Sequence, residues 1–126
     1  MKISSATVVN TCNKLAEFLG EDYEQLRKEL VNEKRVHGDE TGWRTEGKRR
    51  WLWEFISRNT AYFTIRKSRG HEVPEEVMKG FKGVFSSDFW NAYNVLECEK
   101  QRCWVHLKRE LDKVLKYRYS KEFARF

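Results

Sequence analysis

The stretch RVHGDETGWRTEGKRRWLWEFIS, residues 35–57, reads as a strand, a tight turn and a second strand. In its second half Trp51, Trp53 and Phe55 alternate with Leu52, Glu54 and Ile56, the period of a strand with both faces largely apolar. The first half, Arg35 to Thr45, is the first candidate strand and ends in a turn around Gly47. Period two puts His37, Asp39, Thr41 and Trp43 on one face and Glu40 on the other. Asp39 is the misfit. Asp is depleted from strands, and an ionised carboxylate on a covered face is costly unless something compensates it.

Towards the C-terminus, TAYFTIRKS supplies a third β-rich run, so the three strands predict an antiparallel meander. RGHEVPEEVMKGF predicts a helix, with Pro74 in its first turn, Glu75 and Glu76 at its positive end and Gly80 at its stop. FKGVFSSDFW predicts a short strand ending at Asp88, then a helical turn through Trp90, Tyr93 and Leu96. QRCWVHL predicts a fifth strand, and KRELDKVLKYRYSKEF a basic amphipathic helix. Towards the N-terminus, SSATVVNTCNKLAEFLG and EDYEQLRKELVNEK predict two helices, the first capped by Ser4 or Ser5 and closed by Gly20. The order predicts an α/β (α+β) fold: a mixed five-stranded sheet with flanking helices, preceded by a helical lead-in over residues 1–34.

With 126 residues, 40% of them apolar and 35% charged, the chain suits one globular domain with a real core, not a disordered segment. No apolar run reaches the roughly 20 residues of a membrane span. No secretory signal is visible, so a cytoplasmic protein without a membrane partner is expected. Cys12, Cys98 and Cys103 are too few and too irregular for a disulfide framework. The net charge of +6 is uneven: residues 1–36 are neutral, 37–96 carry +2 and 97–126 carry +4. A basic C-terminal third favours a polyanionic partner.

The separation of Asp39 and Asp88 is ample for a hairpin, a third strand and a right-handed crossover. If the intervening helix carries the chain back across the sheet, the fourth strand lies parallel to the first and the two carboxylates face each other. Facing like charges raise one pKa unless a cation sits between them, and Mg²⁺ or Mn²⁺ prefers such hard oxygens. Two such ions about 4 Å apart stabilise both the attacking and the leaving oxygen of an in-line phosphoryl transfer. Plainer readings stand beside this. Asp39 can sit on a solvated strand face, Asp88 can cap the turn after it, and Glu40 suits a solvated or supporting position better than ligation.

The segments VHGDETGWR, KRRWLWEF, SRGHEVPEEV, FKGVFSSDFWNAYN and QRCWVHLKREL occur in the order found in transposases of the insertion sequence 66 family. The chain resembles that family from about Lys2 to the last helix. The resemblance implies a DDE transposase with a ribonuclease H-like catalytic core over residues 35–126, Mg²⁺ (or Mn²⁺) as cofactor, and DNA strand cleavage and transfer as its reaction. It implies transposon ends and target DNA as partners, and several copies in a transposition complex. The Asp of the family's DET-G-W motif falls on Asp39, and that of its S-D-x-W-x-A-Y motif on Asp88, the first two metal-binding catalytic acids. The third acid, usually Glu, comes in the family from a helix well beyond the C-W-x-H segment, and nothing here matches it. The chain is therefore expected to be a C-terminally truncated core. The alternative is a catalytically inactive basic module for DNA binding or assembly. Glu110 and Asp112 are expected to form surface ion pairs with Lys108 or Lys113.

Cys98, Cys103 and His106 form a C-x4-C-x2-H pattern, but three ligands without an obvious fourth favour core packing over zinc. The resemblance sets His106 near the scissile phosphate. Trp43, Trp51, Trp53, Trp90 and Trp104 are expected in core or half-buried positions, with base stacking as the lesser alternative for Trp43 or Trp90. Arg44, Lys48, Arg49, Arg50, Arg66, Lys67 and Arg69, joined by His106, Lys108 and Arg109, are the expected phosphate contacts. ISSATVVNTCNKL resembles a recognition helix, but without room for a preceding helix it is expected to pack as a lead-in to the core.

Overall fold

The structure is a computed structural model and describes residues 3–117. Helix α1 (Ser5–Phe18) starts where the Ser4 hydroxyl accepts the Thr7 N–H at 3.2 Å. Helix α2 (Gly20–Leu30) follows at once, so Gly20 opens the second helix instead of closing the first. Strands β1 (Arg35–Thr45) and β2 (Lys48–Ile56) form the expected hairpin. Its two-residue loop, Glu46 and Gly47, takes φ of 51° and 72°. Two consecutive positive values give the loop whose twist matches that of the flanking strands. Strand β3 (Ala61–Arg66), helix α3 (Glu72–Val77), strand β4 (Val84–Ser87), a 3₁₀ turn (Asn91–Val95), strand β5 (Glu99–Arg102) and helix α4 (Trp104–Tyr117) complete the order.

The sheet runs β3-β2-β1-β4-β5, antiparallel through β3, β2 and β1, then parallel from β1 to β4 and from β4 to β5. This is the mixed five-stranded sheet that the order of elements predicts. Helix α3 is the crossover that returns the chain to β1. On the covered face, Trp53 and Phe55 of β2 meet Val36 of β1 and Phe85 of β4. Leu30 of α2, Val77 of α3 and Tyr93 of the 3₁₀ turn close over them. All seven are fully buried. On the other face Phe63 and Ile65 remain about half exposed.

Two further expectations about the elements fail. The fifth strand ends at Arg102, and Trp104 and Val105 lie on α4, where Trp104 is 76% exposed. The chain leaves the sheet at Cys103, whose N–H donates to the Ser87 carbonyl at 2.9 Å while its own carbonyl accepts the Leu107 N–H and opens the helix. Residues 118–123 of the expected last helix lie outside the described residues. The N-terminal helix does not pack on the core either: α1 has no buried side chain, and Val8, Val9, Leu15 and Phe18 are exposed. It is α2 that docks, with the Tyr23 ring stacked on Tyr62 at 4.6 Å and the Tyr23 hydroxyl donating to the Phe63 carbonyl at 2.7 Å.

Gly38 lies between His37 and Asp39 because the Phe85 ring occupies its covered side. A Cβ there would stand 2.3 Å from Phe85 Cζ. Gly38→Ala is expected to destabilise by about 1–3 kcal/mol through overpacking. A denaturation midpoint equal to that of the parent would contradict the close approach.

Candidate active site

Strand β1 alternates strictly: Val36, Gly38 and Glu40 face the core, while Arg35, His37 and Asp39 are exposed. In the parallel pairing of β1 with β4, His37 stands beside Ser86. Two residues further along each chain are Asp39 and Asp88, the latter just past the end of β4. Both line one cleft of about 210 Å³ together with Glu54, His37, Cys103 and His106. A larger cleft of about 930 Å³ lies between the end of α2, the start of β1 and the β2–β3 loop, and neither aspartate lines it.

Each aspartate is held locally. Asp39 Oδ1 accepts the Glu40 N–H at 2.9 Å. Asp88 Oδ1 accepts the Trp90 N–H at 2.8 Å, so this residue does brace the turn after it. The second oxygen of each makes no hydrogen bond among the described residues. Arg102 clamps the main chain of Asp88, with Nη1 donating to the Asp88 carbonyl at 2.7 Å and to the Ser87 hydroxyl at 3.0 Å. Its other amino group reaches Asn94 Oδ1 at 2.5 Å.

Behind Asp39, on the covered face, Glu40 is neither solvated nor open to the cleft. Its side chain is fully buried, with Oε1 held by Arg69 Nη2 at 2.8 Å and Nε at 2.9 Å, and Oε2 taking the Tyr93 hydroxyl. Burial raises the Glu40 pKa above the ordinary carboxylate value, and the Tyr93 and Arg69 hydrogen bonds offset only part of that. Burial and the facing carboxylate raise the Tyr93 phenol further. The Arg69 guanidinium lies between two indoles, 4.6 Å from the Trp51 ring and 4.2 Å from the Trp90 ring. Trp90 Nε1 in turn donates to the Arg69 carbonyl at 3.2 Å.

The expected phosphate contacts divide. Arg69 is committed to Glu40, Arg66 to Glu76 at 2.8 Å, and Lys108 to Asp112 at 3.1 Å, the last joined by the expected Lys113–Glu110 pair. Lys48 shares the face of Asp39, whereas Arg44 and Arg49 pair with each other on the reverse face, Arg49 over the Trp51 ring. Arg109 is exposed on α4. His106 is in the cleft, and its Nδ1 is buried without a hydrogen-bond partner among the described residues. The C-x4-C-x2-H residues split, since Cys98 packs against the core while Cys103 and His106 line the cleft. The Cys103 thiol is shifted down chiefly by the His106 main-chain N–H. Of the tryptophans, Trp53 is core and Trp51 half-buried, but Trp43, Trp90 and Trp104 are exposed.

Glu54 is a cleft residue that strand alternation alone does not single out, though the hairpin carries a signal for it. Counting outward from the Glu46–Gly47 loop pairs it directly with Asp39 on the same face. Arg102 carried none, because its role depends on β5 lying beside β4.

Among the described residues, no three His, Cys, Asp or Glu side chains are grouped to hold a metal ion. The donor set still fits a hard divalent cation, which binds through one or two carboxylates and keeps water and substrate oxygens for the rest. No described helix is long and apolar enough to cross a membrane.

The family model described as Transposase IS66 family matches residues 1–125. No curated protein matches the chain. Among solved structures, a chain of the simian T-cell lymphotropic virus intasome in complex with PP2A regulatory subunit B56 gamma is similar at 13% identity and TM-score 0.47, over 66% of this chain and 38% of that one. The HTLV-2 integrase catalytic core domain in complex with magnesium, in its trimeric form, is similar at 11% identity and TM-score 0.47, over 66% of each chain. The matched part is thus under two thirds of each of those chains.

Proposed function

This chain belongs to the IS66 family of transposases, and from that premise we propose that the Asp39–Asp88 cleft is a metal-dependent centre for phosphoryl transfer on DNA. The observation that carries the reading is the parallel register of β1 and β4, which puts two acids distant in sequence at neighbouring positions of one cleft. Asp39 and Asp88 would hold the ion, each with one oxygen left by its local hydrogen bond. Bound there, Mg²⁺ or Mn²⁺ supplies Lewis-acid stabilisation of the charge that develops on the phosphate oxygens. The chain's own residues do the positioning. Arg102 fixes the Asp88 main chain, the Trp90 N–H orients its carboxylate, and the rigid strand aims Asp39. His106 lines the same cleft, so its imidazole would stand near a bound phosphate. Transposon ends and target DNA are the substrates of this reading, with several copies assembled on them.

The test is calorimetric titration with Mg²⁺ and Mn²⁺. Asp39→Asn and Asp88→Asn are each expected to weaken binding by at least about tenfold, as loss of one hard anionic ligand from a two-carboxylate site should. Thermal stability should barely move, since neither side chain is buried. Unchanged affinity in both variants defeats the reading and leaves a basic DNA-binding module in its place.

A further inference from the structure

The β1–β2 hairpin outruns the sheet. Strand β4 pairs with β1 only from Arg35 to His37, and β3 pairs with β2 only from Trp51 onward. Residues 43–50 therefore form a two-stranded ribbon without neighbours at either edge. Its two faces differ. The Trp43–Arg50 and Thr45–Lys48 pairs continue the row that starts with Asp39 and Glu54, while Arg44 and Arg49 occupy the reverse. On the cleft-side face Trp43 is 47% exposed, and neither Lys48 nor Arg50 forms an ion pair among the described residues.

An aromatic ring lying open beside two unpaired cations matches a nucleic-acid strand whose bases are not already stacked on partners. The ring takes a base, and the cations take phosphates. Fully paired duplex offers the phosphates but hides the base faces. At ~3.3 Å per residue, Trp43 and Arg50 stand about 13 Å from the Asp39–Glu54 pair and Lys48 about 20 Å, roughly four to six nucleotides at 3.4 Å per step. Negative Asp39 and Glu54 at one end and Lys48 and Arg50 at the other leave a strand no reason to stay at the acids without a cation, but every reason to follow the ribbon outward.

We infer that this face of the ribbon binds an unpaired DNA strand leaving the cleft, with Trp43 stacking a base and Lys48 and Arg50 holding the flanking phosphates. The strand's origin at the cleft rests on the reading proposed above; the binding surface does not.

The experiment measures binding of the full chain to a labelled single-stranded oligonucleotide and to the matching duplex, in EDTA, across a salt series. Trp43→Ala is expected to weaken single-strand binding about tenfold or more and duplex binding little, with Trp43→Phe retaining most of it. Lys48→Ala with Arg50→Ala should lower the single-strand salt slope by about 1.4, two contacts at about 0.7 each. The reverse-face pair Arg44→Ala with Arg49→Ala should lose less affinity than the cleft-face pair. Circular dichroism melts keep folding separate from binding. Wild-type single-strand affinity in Trp43→Ala, equal losses on duplex and single strand, or a larger loss from the reverse-face pair overturns the inference. Because no metal is present, this outcome is independent of the Asp39 and Asp88 titrations. A normal ribbon with unchanged metal affinity in those variants sinks the proposed centre alone.

Discussion

Replacing Arg69 by Ala should destabilise the fold by about 2–4 kcal/mol near neutral pH, somewhat under the cost of breaking a fully buried ion pair, because Glu40 is buried but the Arg69 side chain is 36% exposed. The size follows from Glu40, whose fully buried carboxylate takes both of its Arg69 contacts on one oxygen. Without the guanidinium only the Tyr93 hydroxyl remains. Two indole faces also lose the group stacked between them. The carboxyl's cheapest escape is to take a proton, which sets the pH dependence. Glu40 already has a folded-state pKa above its ordinary value of 4.5. A raised acid pKa contributes stability that is complete below the unfolded value and lost as pH rises through the folded one. Removing Arg69 raises the folded value again, so the deficit against the parent should be small at pH 4 and grow towards pH 8. Urea unfolding at several pH values reads this out. Arg69→Lys should fall between, keeping the charge but losing the planar stack. A deficit under about 1 kcal/mol that ignores pH would show that the pair contributes little.

Phe85→Ala should cost a similar amount, about 3–5 kcal/mol, for a different reason. Its ring is fully buried and meets Tyr93 at 5.3 Å, Phe55 at 6.3 Å and Phe81 at 6.4 Å, filling the space that Gly38 leaves open. Phe85 is also the β4 partner of Val36 in the ladder that aligns the two aspartates. Truncation should therefore lower the urea midpoint with little change in slope and, on the proposed reading of the cleft, weaken Mg²⁺ binding even in the fraction that stays folded. Phe85→Leu, which leaves a smaller cavity, should lose less on both measures. A midpoint shift under about 1 kcal/mol would mean that the neighbouring rings collapse into the gap.

Much of this molecule was written locally. Residues 35–57 determined their hairpin, because strand alternation is a period-two property and the Glu46–Gly47 loop needs only its own backbone freedom. The same alternation decided which face bears Asp39 and which bears Glu40. Motif order was enough for the family and for the pair of acids to consider. Where the sequence misled, the missing quantity was a neighbour. Glu40 reads as a solvated or supporting acid, and only Arg69 and Tyr93, brought against it from 29 and 53 residues away, decide that it is buried. Trp104 reads as strand core because Trp and Val favour strands, yet the Ser87 carbonyl captures the Cys103 N–H and turns the chain into a helix.

Composition alone determined a basic, globular chain with too little apolar run for a membrane helix, and periodicity determined its strands. The parallel docking of β4 beside β1 was decided by tertiary packing, chiefly of Phe85 and Tyr93 over Trp53 and Phe55. So were the shared cleft of Asp39 and Asp88 and the clamp of Arg102. The physical reason is range. Side-chain alternation and turn geometry act over a few residues, whereas register between distant strands is selected by burying a shared apolar face, which no single segment contains.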